Sequence, residues 1–349
     1  MIACDEYNIY INDWDSLRRT IAEHNYSKVL VVVDENTKLH CLPTLQRELQ
    51  VELHCIEIAA GEESKTIATC QHIWQQMIAL GADRHSLCIN LGGGVIGDMG
   101  GFAAATYMRG MAFIQVPTTL LSQVDASVGG KLGVDHQSYK NIIGLIKTPV
   151  AVCIHTDMLS TLPYRELRSG YAELIKHGLI ADAGEYTYLQ SIADLTTVEW
   201  QPIVERSVKL KQTITDQDPN EKGLRKILNF GHTIGHAIES YCLGGPHHLL
   251  HGEAIAIGMI VEAHMSHQLG YLTLAECDDI RSYISTLYGH HTAGLPPMKA
   301  MVDNMLKDKK NRSGQIRYSL LAAIGEGNYD QVVGIEVVEQ AMEYYKTPK

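Results

Sequence analysis

The chain has 349 residues, 45% of them hydrophobic and 20% charged, which supplies apolar material for about two packed domains and excludes a disordered protein. Lysines and arginines number 29 against 40 aspartates and glutamates, and the formal charge of −11 argues against nucleic acid or an anionic membrane as the main partner. No run reaches the roughly 18 apolar residues of a membrane helix. The first residues lack the basic-then-apolar order of a signal peptide, and eight cysteines without a Cys-x-x-Cys pair read as reduced thiols of a cytoplasmic protein.

In chain order, Lys28–Asp34 is a β-branched run ending at Asp34-Glu35-Asn36, a strand meeting a loop. Helical spacing of Ile67, Cys70, Ile73, Met77 and Ile78 predicts a helix to Leu80, with Ser64 as its N-cap and Gly81 just past its end. Leu87–Leu91 is a second strand, running into Gly92-Gly93-Gly94-Val95-Ile96-Gly97-Asp98, after which a helix is expected near Met99. Phe113–Val116 and Val150–Ile154 continue the strand series. Strands alternating with helices predict a parallel sheet covered on both faces. Beyond about residue 160, helical periodicity dominates (165–181, 200–216, 229–242, 252–269, 274–287), with one strand candidate at Ile316–Leu321. The expected fold is therefore an α/β, Rossmann-like domain over 1–160 and a mostly α-helical domain over 161–349. No floppy linker separates them, which suggests a small-molecule site in the cleft between the halves.

Three motifs carry chemistry. The glycine turn satisfies Gly-x-Gly-x-x-Gly and lets backbone N–H groups approach a pyrophosphate at a helix N-terminus, although a ligand-free strand-to-helix turn gives the same local pattern. Asp34 is placed to meet a ribose hydroxyl, or simply caps a loop. Pro117–Lys131 is densely polar, with Thr118, Thr119, Asp125 and Gly129-Gly130-Lys131. Lys140 and Asn141 follow, and lysines beside paired glycines suit a phosphate or carboxylate.

Histidine gives the sharpest signal. Of 17 histidines, His232, His236, His247, His248 and His251 fall within twenty residues, where an even spread would place about one. His232 and His236 share one helix face, His251-Gly252-Glu253 opens the next helix, and Glu173 lies amid apolar helix residues with Lys176 a turn on. A divalent metal explains such a set, and satisfied helix histidines with a salt-bridged Glu form the plainer reading. His247 and His248 read as loop residues. Lys209 and Lys211 lie on a helix, Arg225 precedes Asn229 by four, and Lys307–Asn311 resembles a solvated charged face.

These segments together resemble the 3-dehydroquinate synthase family, in order over residues 30 to 325. The segments are Asp34-Glu35-Asn36, Gly61–Lys65, Gly92–Asp98, Thr106–Gly110, Pro117–Lys131, Lys140-Asn141, Thr161-Leu162-Pro163, Ala172–Lys176, Gly223–Arg225, Asn229–Glu239, His251–Glu253 and Asp308–Lys310. Leu132 and Asp135-His136-Gln137 depart from the family pattern beside Lys131 without replacing it.

The resemblance implies Zn2+ or Co2+ held by Glu173, His232 and His251, with His236 a substrate-binding, proton-handling residue. That displaces the plain reading in which both helix histidines bind metal. It implies NAD held by Asp34, Asn36, Glu62, Lys65, Gly93, Gly94, Val95, Ile96, Gly97, Asp98, Thr118, Thr119, Asp125, Lys131, Lys140 and Thr161. Substrate phosphate and carboxylate would meet Lys131, Asn141, Lys176, Lys211, Arg225, Asn229 and Lys309. Arg109 would reach the phosphate from the neighbouring subunit of a homodimer.

The implied reaction turns 3-deoxy-D-arabino-heptulosonate 7-phosphate into 3-dehydroquinate and phosphate, a step of the shikimate pathway. It proceeds by metal-assisted transient oxidation with bound NAD, phosphate elimination, re-reduction and intramolecular aldol closure, with no net NAD consumption. Another sugar-phosphate cyclase, without a carboxylate substrate, is the nearest alternative. Arg225, Asn229, His236 and Lys309 favour a carboxylate. A metal-dependent polyol dehydrogenase would have no use for the dense lysines, and a nucleotide sensor none for a metal site.

Overall fold

The computed structural model describes residues 1–4, 7–137, 139–306 and 315–347. Contacts divide the chain into two compact units, Met1–Pro163 with Glu199–Gln212, and Tyr164–Val198 with Thr213–Lys349. Glu199–Gln212, which a cut at residue 160 places in the second half, thus groups with the first unit.

The first unit is an α/β layer structure. Its elements in order are β1 (Ile2–Ala3), β2 (Asn8–Ile11), α1 (Trp14–His24), β3 (Val29–Asp34), α2 (Glu35–His40), α3 (Leu42–Leu49), β4 (His54–Ile58), α4 (Ile67–Ala79), β5 (Leu87–Gly92), α5 (Gly94–Thr106), β6 (Ala112–Pro117), β7 (Lys131–His136), β8 (Tyr139–Ile146) and β9 (Ala151–Ile154). Seven strands form one sheet in the order β1-β2-β9-β6-β5-β3-β4, parallel except at the β1–β2 edge. The pleat sorts its residues into two cores. Leu30, Val32, Cys88 and Phe113 pack with α4 and α5. Val31, Val33, Ile89, Ile114 and Val116 pack with α1 and α3 on the other face. Burying both faces explains the continuous apolar runs, each such side chain contributing about 1.5–3 kcal/mol.

From β3 the chain crosses to β4 on one side and then to β5 on the other. This reversal opens a crevice at the carboxyl ends of β3 and β5, the usual ligand position in such sheets. Asp34 and Gly92 stand at those two ends.

Local expectations are corrected in two places. Ser64 is not the cap of α4: it closes a 3-10 turn, Glu62–Ser64, and Thr66 accepts the Thr69 N–H instead. Gly81 does follow the helix in the left-handed region, at φ +67°. Helix α5 begins at Gly94 rather than near Met99, inside the glycine run. Gly100 and Gly101 are required there, because a Cβ would stand 2.1 Å from Asn90 Oδ1 and 2.4 Å from Leu132 Cδ2 respectively. Lys131, last of the polar run, opens β7, which pairs antiparallel with β8 in a separate hairpin.

Helix α8 (Trp200–Gln217) supplies residues to both units. The second unit is otherwise built from α6 (Tyr164–Ala181), α7 (Ala183–Gln190), α9 (His232–Cys242), α10 (His251–Gln268), α11 (Leu274–Tyr288), α12 (Met298–Leu306) and α13 (Ile335–Lys346). Among the described residues, one hairpin joins them, β10 (Tyr318–Ala323) with β11 (Glu326–Gln331). Helix α10 is buried from Gly252 to Ala263 and packs against α6, α9, α11, α13 and β10, as a helix apolar on all sides must. The helix expected from residue 229 starts at His232, after a 3-10 turn Leu224–Asn229.

Three glycines set the crossing of α9 and α10. A Cβ on Gly258 would lie 1.9 Å from the Gly231 carbonyl oxygen, and one on Gly235 would lie 2.7 Å from Ile255 Cδ1. Gly231 itself is left-handed, at φ +78°. All eight cysteines are free thiols. Among the described residues, no helix is long and apolar enough to cross a membrane.

Candidate functional site

In the first unit, Asp34 and Asn36 stand at the end of β3, and Gly93 to Asp98 follow β5. Gly93 is extended and precedes α5 with no side chain capping the helix. A Cβ there would come within 3.2 Å of Thr119. The positive end of α5 is thus left to backbone N–H groups, an arrangement suited to a pyrophosphate. Thr118 donates its N–H to the Gly92 carbonyl at 3.0 Å, and Gln115 Nε2 donates to the Gly97 carbonyl at 3.0 Å, so both flanks of the turn are pinned. Asp34 caps α2 through Oδ1, which accepts the Thr37 N–H at 2.7 Å. Asn36 and Thr161 are exposed.

Acid–base pairs surround this turn. Lys65, buried after the 3-10 turn, meets Asp98 at 2.6 Å. Burial lowers the Lys65 pKa, but Asp98 and Glu62 outweigh it and hold the ammonium above its ordinary value. Lys140 faces Glu62 at 3.4 Å and Lys211 faces Asp125 at 2.9 Å. Lys131 is half-buried at the start of β7. Asn141 is left-handed at φ +50°, with its N–H on Asp135 Oδ1 at 2.7 Å. Met108 and Arg109 are both left-handed, at φ +49° and +67°, a conformation L-residues adopt at a cost of about 1 kcal/mol or more each. That strained corner presents Arg109 to solvent.

The second unit holds the metal candidates. Helix α6 supplies Glu173, fully buried and ion-paired to Lys176. His232 and His251 are the first residues of α9 and α10, and His236 lies one turn into α9. Glu173 Oε1 stands 3.5 Å from His232 Nε2 and 3.3 Å from His251 Nε2. The other ring nitrogens are held elsewhere: His232 Nδ1 against the Phe230 carbonyl at 3.0 Å, His251 Nδ1 against Glu239 Oε2 at 3.3 Å. Both rings therefore turn Nε2 to one point, with the outer nitrogen fixed as metal-ligating histidines require. His236 shares the patch, since the three imidazoles each offer a nitrogen within 4.8 Å of the others.

Burial opposes a proton on His251, yet Glu239 and Glu173 outweigh burial and raise its pKa to about 10. These carboxylates stabilise positive charge at that point. Two imidazoles and a carboxylate suit Zn2+ or Co2+.

Arg225 is buried, donating Nη1–H to the Pro219 carbonyl at 2.8 Å, while its own N–H bonds Asp218 Oδ2 at 3.1 Å. Asn229 Nδ2 donates to Glu221 Oε1 at 2.8 Å. Lys309 and the charged run around it lie outside the described residues. His247 and His248 are exposed in a turn.

Sequence reasoning left Glu239, Glu253 and Glu262 without roles. Glu253 is buried, accepts the Leu250 N–H at 2.9 Å at the head of α10, and pairs with Arg165 at 2.7 Å. Glu239 had a legible signal, lying seven residues after His232 on the same helical face. Glu262 had none.

Comparison with known proteins gives a consistent result. The model of the 3-dehydroquinate synthase N-terminal domain matches residues 55–169, and that of the C-terminal domain matches residues 170–311. A curated 3-dehydroquinate synthase of Parabacteroides distasonis is 37% identical over 334 residues, covering 95% of this chain and 94% of the relative. That of Pelobacter propionicus is 45% identical over 281 residues, covering 78% and 76%. Among solved structures, 2-epi-5-epi-valiolone synthase from Streptomyces hygroscopicus, with NAD+ and Zn2+ bound, superposes with a TM-score of 0.87 at 28% identity, covering 99% of this chain and 98% of that one.

Proposed function

Because the chain belongs to the 3-dehydroquinate synthase family, we propose that it converts 3-deoxy-D-arabino-heptulosonate 7-phosphate to 3-dehydroquinate and phosphate, with bound NAD and Zn2+ or Co2+. The observation that carries this reading is the convergence of His232 Nε2 and His251 Nε2 on Glu173 Oε1, each outer nitrogen held by a second partner. When bound, the metal supplies Lewis acidity at a substrate oxygen, and the nicotinamide supplies reversible hydride transfer.

The chain's own groups do the rest. Glu173, His232 and His251 would hold the metal, leaving His236 beside them to bind substrate and carry a proton. Lys131, Asn141, Lys176, Lys211, Arg225, Asn229 and Lys309 are assigned to the substrate's phosphate and carboxylate. Arginine suits the carboxylate because its guanidinium can engage both oxygens. Asp34, Asn36, Glu62, Lys65, Gly93 to Asp98, Thr118, Thr119, Asp125, Lys131, Lys140 and Thr161 are assigned to NAD, supported by the uncapped head of α5 and the switch point between β3 and β5.

We place the enzyme in the cytoplasm as a homodimer, with Arg109 serving the partner's phosphate site. Exposed apolar side chains, Met108 beside Arg109 and Ile142 and Ile146 on β8, support a second copy covering this part of the surface.

The deciding experiment incubates purified protein with the heptulosonate phosphate, Co2+ and sub-stoichiometric NAD+, and follows free phosphate. Many phosphates per NAD are expected. Stoichiometric NADH accumulation would mark a dehydrogenase, and absence of phosphate release would refute the assignment.

A further inference from the structure

Helix α9 starts awkwardly. Its N-cap is Gly231, left-handed and without a side chain to cap the helix. Glu262 of α10, fully buried, supplies one from across the crossing. Its Oε2 accepts the Gly231 N–H at 2.6 Å and its Oε1 accepts the Ile234 N–H at 3.1 Å.

A buried carboxylate costs several kcal/mol of desolvation, and a neutral Ser or Asn caps a helix well enough. The charge therefore needs a reason beyond capping. His232 and His251 are each the first residue of a helix, where the macrodipole presents about half a positive charge. That potential opposes a divalent cation on either imidazole. Both helices answer it with a buried carboxylate: Glu253 at the head of α10 and Glu262 at the head of α9. Glu262 also ties the two metal-bearing helices together, since α10 carries His251 at its own first position.

We propose that Glu262 is a positioning residue for the metal centre: it fixes the N-terminus of α9, and so His232, and cancels the helix potential that would repel the ion. The inference rests on Glu173, His232 and His251 being the metal set.

The test uses full-length protein stripped with a chelator and titrated with Co2+, read by visible absorption. Glu262→Gln keeps the shape and removes the charge. It should bind Co2+ about tenfold to a hundredfold more weakly with an altered spectrum, while NAD+ affinity stays within about twofold. Glu262→Asp, which keeps the charge, should bind more tightly than Glu262→Gln. Ile280→Val, a core variant on α11, should lose stability without losing Co2+ affinity.

Equal Co2+ affinity in Glu262→Gln and wild type overturns the proposal, as does an equal loss in Ile280→Val. Wild type that binds no Co2+ overturns the metal site itself and this inference with it. Should Glu262 variants fail to fold, wild type still decides. Coupling is reciprocal, so Co2+ must slow hydrogen exchange at the Gly231 and Ile234 amides, and unchanged exchange overturns the proposal.

Discussion

Replacing Gly258 with alanine sets two effects of opposite sign against each other. In the interior of a helix, alanine is favoured over glycine by about 1 kcal/mol, so propensity alone makes Gly258→Ala stabilising. The new Cβ, however, would stand 1.9 Å from the Gly231 carbonyl oxygen and 2.9 Å from the Gly235 nitrogen, both rigid backbone atoms. Helices α9 and α10 must therefore part by about 1 Å to restore contact distance. Overpacking of this kind costs about 1–3 kcal/mol. The same displacement lengthens the 2.6 Å bond from the Gly231 N–H to Glu262, and a charged hydrogen bond is worth about 1.5–3 kcal/mol. Net destabilisation of about 1.5–5 kcal/mol follows once the propensity gain is subtracted.

Urea unfolding followed by circular dichroism measures the change, and a Co2+ titration reports whether His232 and His251 have moved apart. Gly270→Ala is the control: nothing lies within 4 Å of its Cβ, and its φ of +81° should cost only about 1 kcal/mol. A Gly258→Ala protein as stable as wild type, with full Co2+ affinity, would refute the steric argument.

Three further outcomes are expected. Glu173→Gln should lose Co2+ binding by calorimetry while NAD+ binding persists, and retained metal would disprove its role as a ligand. His155, buried and stacked on Trp14 at 3.5 Å, has its pKa pushed down to about 4 by burial, with Asp13 opposing. Its folded-state pKa lies below the unfolded value of about 6.5, so stability present above that pH should fall by up to about 3 kcal/mol as pH drops towards 4. Wild type compared with His155→Phe across that range isolates the slope, and parallel curves would refute it. Lys65→Met strands the Asp98 carboxylate and should cost about 3 kcal/mol in unfolding experiments, much of it recovered when Asp98→Asn is added; additive losses would show that the pair is not coupled.

The parallel strands were legible because both faces are buried: β3, β5, β6 and β9 appear as short apolar runs beside turn residues. Hairpin β7–β8 was hidden because Gly129-Gly130-Lys131 and the polar residues beyond it have loop chemistry, and only pairing such as Leu132 with Leu145 makes them strands. The start of α5 was misplaced because glycine disfavours helices locally, whereas the approach to Asn90 and Leu132 demands it. Clustered histidines pointed to the metal candidates, since chemistry and helical spacing both sit in the sequence. Glu262 was invisible for the opposite reason. Its role depends on which helix lies across from it.

The lysines around the nucleotide turn have a thermodynamic consequence of their own. Lys65, Lys140 and Lys211 already face Asp98, Glu62 and Asp125. An arriving anion therefore joins or competes with a carboxylate already in place and does not meet a bare ammonium. Binding energy at each lysine is reduced by the pair it already makes, and a carboxylate that gave way would have to find water or another donor. Such internal understudies spare the ligand-free protein a cluster of buried, uncompensated positive charge. They also mean that three of the acidic residues behind the formal charge of −11 are already matched by a lysine.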